Sequence, residues 1–178
     1  MSKFAYLKNR ADEFERINER LRNKKATIQE VDYFWNTAIG YKTDMQMHGK
    51  ADYWQTPRET LISGYGDCED IAIAKFFMLI NYFDAYLVYC AVDGSNKKHM
   101  TCIVRERYWL FFKRDRNLDI QHRRIIEEFR FNKKDVYFPD YKNPICEARS
   151  ITLWADLLVR FYKEERGLNA LILQNLKA

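Results

Sequence analysis

Gly64-Tyr65-Gly66-Asp67-Cys68-Glu69-Asp70-Ile71-Ala72-Ile73-Ala74-Lys75-Phe76-Phe77-Met78-Leu79-Ile80 is the stretch whose reading decides the fold. From Ile71 to Ile80 it is apolar except for Lys75, carries alanines and has no β-branched run, which favours a buried helix over a strand. Asp67, Glu69 and Asp70 stand at its start, where carboxylates oppose the positive end of the helix macrodipole. The two glycines before them let the backbone turn sharply. Cys68 is therefore predicted in the first turn, where unpaired amides favour the thiolate, the nucleophilic form of the side chain. The same amides can receive the oxyanion of a tetrahedral intermediate. The bland alternative is a small buried cysteine, the usual fate of a free thiol.

Working outward, Phe4, Leu7, Ala11, Phe14, Ile17 and Leu21 recur at helical steps and predict an N-terminal amphipathic helix, broken at Asn23-Lys24-Lys25. Thr27-Ile28-Gln29-Glu30 has the form of a capping box and opens a second helix with Val31, Phe34, Trp35 and Ala38 on one face, stopped at Gly40. Residues 41–66 read as a loop, long enough to be functional. After the central helix, Tyr86–Val92 reads as a strand closed by the turn Asp93-Gly94-Ser95-Asn96. His99–Arg105 and Trp109–Lys113 form the arms of a hairpin around Glu106-Arg107-Tyr108. Residues 117–149, with Pro139 and Pro144, read as irregular. Ser150 is placed as the cap of a last long helix carrying Leu153, Trp154, Leu157, Leu158 and Phe161, ended by Gly167 and followed by a short helix, Leu168–Leu176. Helices, then strands, then helices give an α+β class, with helices packed on a small antiparallel sheet. One domain over residues 1–178 is expected, its core at about 28–165.

With 178 residues, 47% of them apolar, and only 6 Gly and 3 Pro, the chain is neither collagen-like nor disordered. No apolar run approaches the roughly 18 residues of a membrane span. Met1–Arg10 lacks the apolar stretch of a secretory signal, so a cytoplasmic protein is expected. Cys68, Cys90, Cys102 and Cys146 form no C-x-x-C pair and are expected as thiols. The net charge of +5 is concentrated: residues 97–134 hold twelve Lys or Arg against five Asp or Glu. That region reads either as a solvated basic face or as a surface for nucleic acid or an acidic protein, although no nucleic-acid fold signature accompanies it.

A nucleophilic thiol needs a base, and the base an orienting group. The histidines are His48, His99 and His122. His99 opens a predicted strand, and a hairpin centred near Arg107 sets Asp115 directly opposite it, on the same face. Cys68, His99 and Asp115 thus form a candidate catalytic set. Trp54, fourteen residues before Cys68, offers an indole N–H to an oxyanion or a ring to the core.

Asp52-Tyr53-Trp54-Gln55-Thr56-Pro57-Arg58-Glu59-Thr60, the Gly64–Phe77 stretch and His99-Met100 together resemble the bacterial transglutaminase-like cysteine peptidases. The resemblance runs from about Val31 to Asp115 and more faintly to Leu153-Trp154. It implies a papain-like α+β fold and a Cys-His-Asp triad that cleaves a polypeptide through a thioester acyl-enzyme. Cys68 would be the nucleophile, His99 the base and acid, and Asp115 the orienter. Family members that cleave adhesins bind calcium through acidic residues flanking the cysteine, which here are Asp67, Glu69 and Asp70. Calcium suits hard carboxylate ligands, and helix capping explains the same residues without a metal. The family's Asp typically sits in a Leu-Asp-Asn context ending the second strand, whereas this chain reads Trp109-Leu110-Phe111-Phe112-Lys113-Arg114-Asp115-Arg116-Asn117-Leu118-Asp119; Asp119 is the runner-up for the third position. The same acyl-enzyme also serves transfer to an amine, and a non-catalytic basic binding module is the reading from a different class.

Overall fold

The computed structural model describes residues 3–94, 97–107, 113–119, 124–139 and 142–175. Helix α1 (Lys3–Arg22) buries Ile17 and Leu21, and its Phe14 packs edge-on against Trp35. The chain reverses at Lys24, which takes a left-handed φ of 55°. The predicted capping box forms in full: the Glu30 amide donates to Thr27 Oγ1 at 3.2 Å and the Thr27 amide to Glu30 Oε2 at 2.8 Å. Helix α2 (Ile28–Ala38) then buries Ile28, Val31, Phe34 and Trp35.

The stretch read as a loop is more ordered than its composition suggests. Strand β1 (Gly40–Tyr41), helix α3 (Asp44–His48), helix α4 (Pro57–Ser63) and strand β2 (Tyr65–Gly66) lie within it, and β1 pairs in parallel with β2. Helices of five and seven residues are too short to show an apolar period. Their punctuation is nevertheless written in the sequence. Thr43 and Thr56 cap the starts, Pro57 takes the first helical position, and Gly49 and Gly64 close the ends at φ 64° and 72°.

Helix α5 (Cys68–Leu79) is the buried helix expected, with Ala72, Ile73, Ala74, Phe76, Phe77, Met78 and Leu79 all in the core. It packs on the centre of a six-stranded antiparallel sheet made of β3 (Asp84–Val92), β4 (Lys98–Arg107), β5 (Lys113–Asn117), β6 (Ile125–Phe131), β7 (Asp135–Tyr137) and β8 (Cys146–Glu147). The strand order is β5-β4-β3-β6-β7-β8. Leu87, Met100, Cys102 and Val104 meet α5 in one apolar core. Three of these strands fall in the region read as irregular.

A single helix, α6 (Thr152–Asn175), replaces the two expected at the C-terminal end. It runs through Gly167, because an interior glycine costs a helix only about 1 kcal/mol relative to alanine and does not break it. Ser150 does not cap α6; it lies in a 3-10 turn and donates to the Glu147 carbonyl at 2.8 Å. Trp154 anchors α6, packing edge-on against Phe76 and Phe131. In the basic region, Lys98 pairs with Glu128, Arg116 with Glu106, and Arg130 with both Glu127 and Asp115. Much of its charge is therefore answered within the sheet. No helix among the described residues is long and apolar enough to cross a membrane.

Candidate active site

Cys68 opens α5, directly after the β2 turn. Gly66 is required there: a Cβ at this position would stand 2.8 Å from the Cβ of Asp70. Asp70 cannot retreat, because it is fully buried and ties three groups. Its carboxylate accepts from the Gln55 amide at 2.8 Å, from Gln55 Nε2 at 2.6 Å and from the Asp67 amide at 3.2 Å. Burial raises the Asp70 carboxyl to about 7 in spite of these bonds. Asp70 is thus the brace that holds the segment before α4 to the start of α5, and it is not a member of the acidic cluster described below.

Cys68, His99 and Asp119 line one narrow cleft of about 50 Å³, together with Tyr41 and Lys75. His99 comes from the start of β4, and its Nε2 bonds Asp119 Oδ2; the imidazole side chain is 11% exposed and the carboxylate 7%. Asp119 follows the end of β5, where its amide donates to Asn117 Oδ1 at 3.1 Å. Asn117 Oδ1 is itself fixed by the Thr101 hydroxyl at 2.7 Å.

The cysteine sits in a more negative setting than a bare helix start. Its Sγ lies 2.8 Å from Glu69 Oε2. Burial pushes the thiol well above its ordinary range, the Glu69 charge and hydrogen bond add to this, and the Met100 amide pulls the other way. The helix terminus alone, as read from sequence, does not set the ionisation of Cys68. Tyr41 lines the cleft beside Cys68, and burial first, then the neighbouring acidic groups, raises its phenol.

Asp44, Asp67 and Glu69 bring carboxylate oxygens within 4.8 Å of one another. Asp44 and Asp67 are buried, and the Oδ1 atom of each has no hydrogen-bond partner. Burial drives the Asp67 carboxyl far above its usual range, reinforced by Glu69, Asp70 and Asp44. Burial raises Asp44 as well, against the 2.6 Å bond it accepts from the Tyr53 amide. Two buried oxygens without donors, facing a third carboxylate, match the donor set of a hard divalent cation.

Three sequence assignments need correction. Asp115 is not beside His99: it pairs across the hairpin with Arg105, and the register centres on position 110 instead of 107. It shares the face of His99 but lies six residues, roughly 20 Å, further along the strand. There it takes two bonds from Arg105, at 2.8 and 3.2 Å, and one from Arg130 at 2.7 Å. Residues 108–112 lie outside the described residues, as does His122. Asp70 gives way to Asp44 in the acidic cluster. Trp54 is a core residue, buried and stacked on Phe131 with ring centroids 6.2 Å apart. His48 packs its ring on Tyr53 at 4.4 Å, away from the cleft-lining residues. Asp44 carried no signal in the sequence. Asp119 did, because Leu118-Asp119 matches the first two residues of the Leu-Asp-Asn context.

A family model described as bacterial transglutaminase-like cysteine proteinase, BTLCP, matches residues 7–111. Among solved structures, the fold matches calcium-bound LapG of Legionella pneumophila with a TM-score of 0.63 at 21% identity, covering 90% of this chain and 99% of that one. EGTA-treated LapG matches with a TM-score of 0.63 at 23% identity, covering 90% and 97%. No curated protein matches the chain at a significant level.

Proposed function

The chain belongs to the bacterial transglutaminase-like cysteine proteinases, and from that premise we propose that Cys68, His99 and Asp119 are the triad with which it cleaves peptide bonds. The observation that carries this reading is the bond between His99 and Asp119 in the cleft that Cys68 also lines. Asp119 orients the imidazole of His99, which serves as the proton carrier for the thiol that lines the same cleft. In the reaction, Sγ attacks the carbonyl carbon of the substrate while His99 takes the thiol proton. His99 then delivers that proton to the departing amine, leaving a thioester on Cys68. Water, deprotonated by the same imidazole, cleaves the thioester and restores the thiol. Unpaired first-turn amides of α5 supply donors for the oxyanion. The family implies a polypeptide substrate, whose scissile bond would enter the cleft lined by Cys68 and His99.

Calcium-bound LapG shares the fold, and the acidic cluster supports the same ion here. Asp44, Asp67 and Glu69 would hold it, and its charge would compensate three carboxylates placed next to the nucleophile. The two orphaned Oδ1 atoms are the observation in favour.

Acylation with p-nitrophenyl acetate tests the triad without knowledge of the natural substrate. Peptide mapping should place the acetyl group on Cys68, with no burst from Cys68→Ala and a strongly slowed one from His99→Ala. Acetylation centred on Cys146, unaffected by either substitution, would overturn the assignment.

A further inference from the structure

Lys75 is a cation in an otherwise apolar stretch of α5, two turns after Cys68, with its side chain 3% exposed. All three ammonium protons are used. Nζ lies 2.8 Å from Asp32 Oδ1, 2.8 Å from Asn36 Oδ1 and 2.6 Å from the Leu118 carbonyl oxygen. Asn36 is itself oriented by donating from Nδ2 to Asp32 at 2.9 Å, which turns its oxygen toward the lysine. A buried ammonium is costly, and a methionine of similar volume would fill the same space in the core. A lysine at this position therefore invites an account of what it holds.

What it holds is the peptide unit joining Leu118 to Asp119. Leu118 is buried and its amide donates to the Cys102 carbonyl at 3.0 Å. That bond fixes the preceding unit; in the unit leading into Asp119 the lysine takes the Leu118 carbonyl at 2.6 Å while the Asp119 amide donates to Asn117 Oδ1 at 3.1 Å, so both ends of the plane are held. We propose that Lys75 is a positioning residue that, through the Leu118 carbonyl, keeps the Asp119 carboxylate on His99. This rests on the triad proposed above. Asp32 and Asn36 extend the clamp to α2 and make the cleft depend on three elements, α2, α5 and the segment after β5.

The test compares Lys75→Met, Asp119→Asn and the double variant in p-nitrophenyl acetate turnover. Alongside it, the low-field proton resonance of the His99 ring N–H bonded to Asp119 is followed by NMR. Asp119→Asn should lower turnover by about 100-fold or more, and Lys75→Met by about 10- to 100-fold. The double variant should be no worse than Asp119→Asn alone, since both act on one bond. The resonance should be lost or displaced in Lys75→Met, which a lysine needed only for packing would not do. Full turnover in Asp119→Asn would sink the triad itself. A crippled Asp119→Asn beside an unchanged rate and resonance in Lys75→Met would overturn the clamp alone, as would additive losses in the double variant. Should Lys75→Met fail to fold, Asp32→Asn at the half-exposed end of the network replaces it. A roughly threefold or larger loss with a displaced resonance supports the clamp, and an unchanged rate and resonance refutes it.

Discussion

Glu69 Oε2 stands 2.8 Å from the sulfur of Cys68 while also facing Asp44 and Asp67 across the acidic cluster. One carboxylate thus joins the nucleophile to the candidate cation site. Without a cation, burial and like charge penalise ionisation here, raising the Asp67 and Asp44 carboxyls, so the cluster opposes folding by itself. Calcium should raise the melting temperature of metal-stripped protein, since a ligand specific for the folded state stabilises it by about 2.7 kcal/mol at 100 times its Kd. For a chain of this size that is about 5–10 °C. Asp44→Asn should raise the metal-free melting temperature slightly and abolish most of the calcium response. An undiminished response in that variant would remove Asp44 from the ligand set.

The two aspartates after the hairpin turn should separate cleanly in kinetics. Asp119→Asn breaks the bond that orients His99 and should lower turnover by up to about 10⁴, the scale of losing an orienting carboxylate. Asp115→Asn removes an ion pair roughly 20 Å along the strand and should leave kcat/KM within about twofold. The reverse ranking would require a different hairpin register in solution.

That register marks where the sequence ceases to be legible. The buried helix from Cys68, the capping box at Thr27 and the strand beginning near His99 are written in local patterns of burial and capping. The offset between two strands is not local. It depends on the length of chain between Arg107 and Lys113, and a displacement from centre 107 to centre 110 keeps every residue on its face while changing its partner. Parity reasoning therefore finds the correct face and the wrong aspartate. Asp44 was illegible for a related reason: it is brought to Asp67 by the parallel pairing of β1 with β2, two strands of two residues each.

Asp115 should matter to stability and not to chemistry. Burial opposes its charge, but the bonds from Arg105 and Arg130 outweigh that cost and hold its pKa below the usual 3.8. A depressed folded-state value stabilises fully above the unfolded pKa, and the contribution is lost as pH falls through the folded value. Asp115→Asn should therefore cost about 1 kcal/mol at pH 7, discounted for partial exposure, and the difference should shrink in urea melts as pH is taken progressively below 3.8. A gap that persisted in acid would show that something other than the ionised carboxylate sustains it.

Two glycine substitutions distinguish close approach from backbone strain. Gly49 ends α3 at φ 64° with open space where a Cβ would stand, so Gly49→Ala meets only the left-handed penalty of about 1–2 kcal/mol. Gly66 is different: an added Cβ meets the Cβ of Asp70 at 2.8 Å and its Oδ2 at 3.0 Å. Asp70 is pinned by Gln55 and by the Asp67 amide, so the backbone before Cys68 must move instead. Overpacking of this kind costs about 1–3 kcal/mol. Here the displaced atoms also carry the nucleophile and Asp67. Gly66→Ala should lower both the melting temperature and p-nitrophenyl acetate turnover, whereas Gly49→Ala should lower the melting temperature alone. Equal turnover in the two variants, at matched fractions folded, would mean that the Gly66–Asp70 contact does not set the position of Cys68.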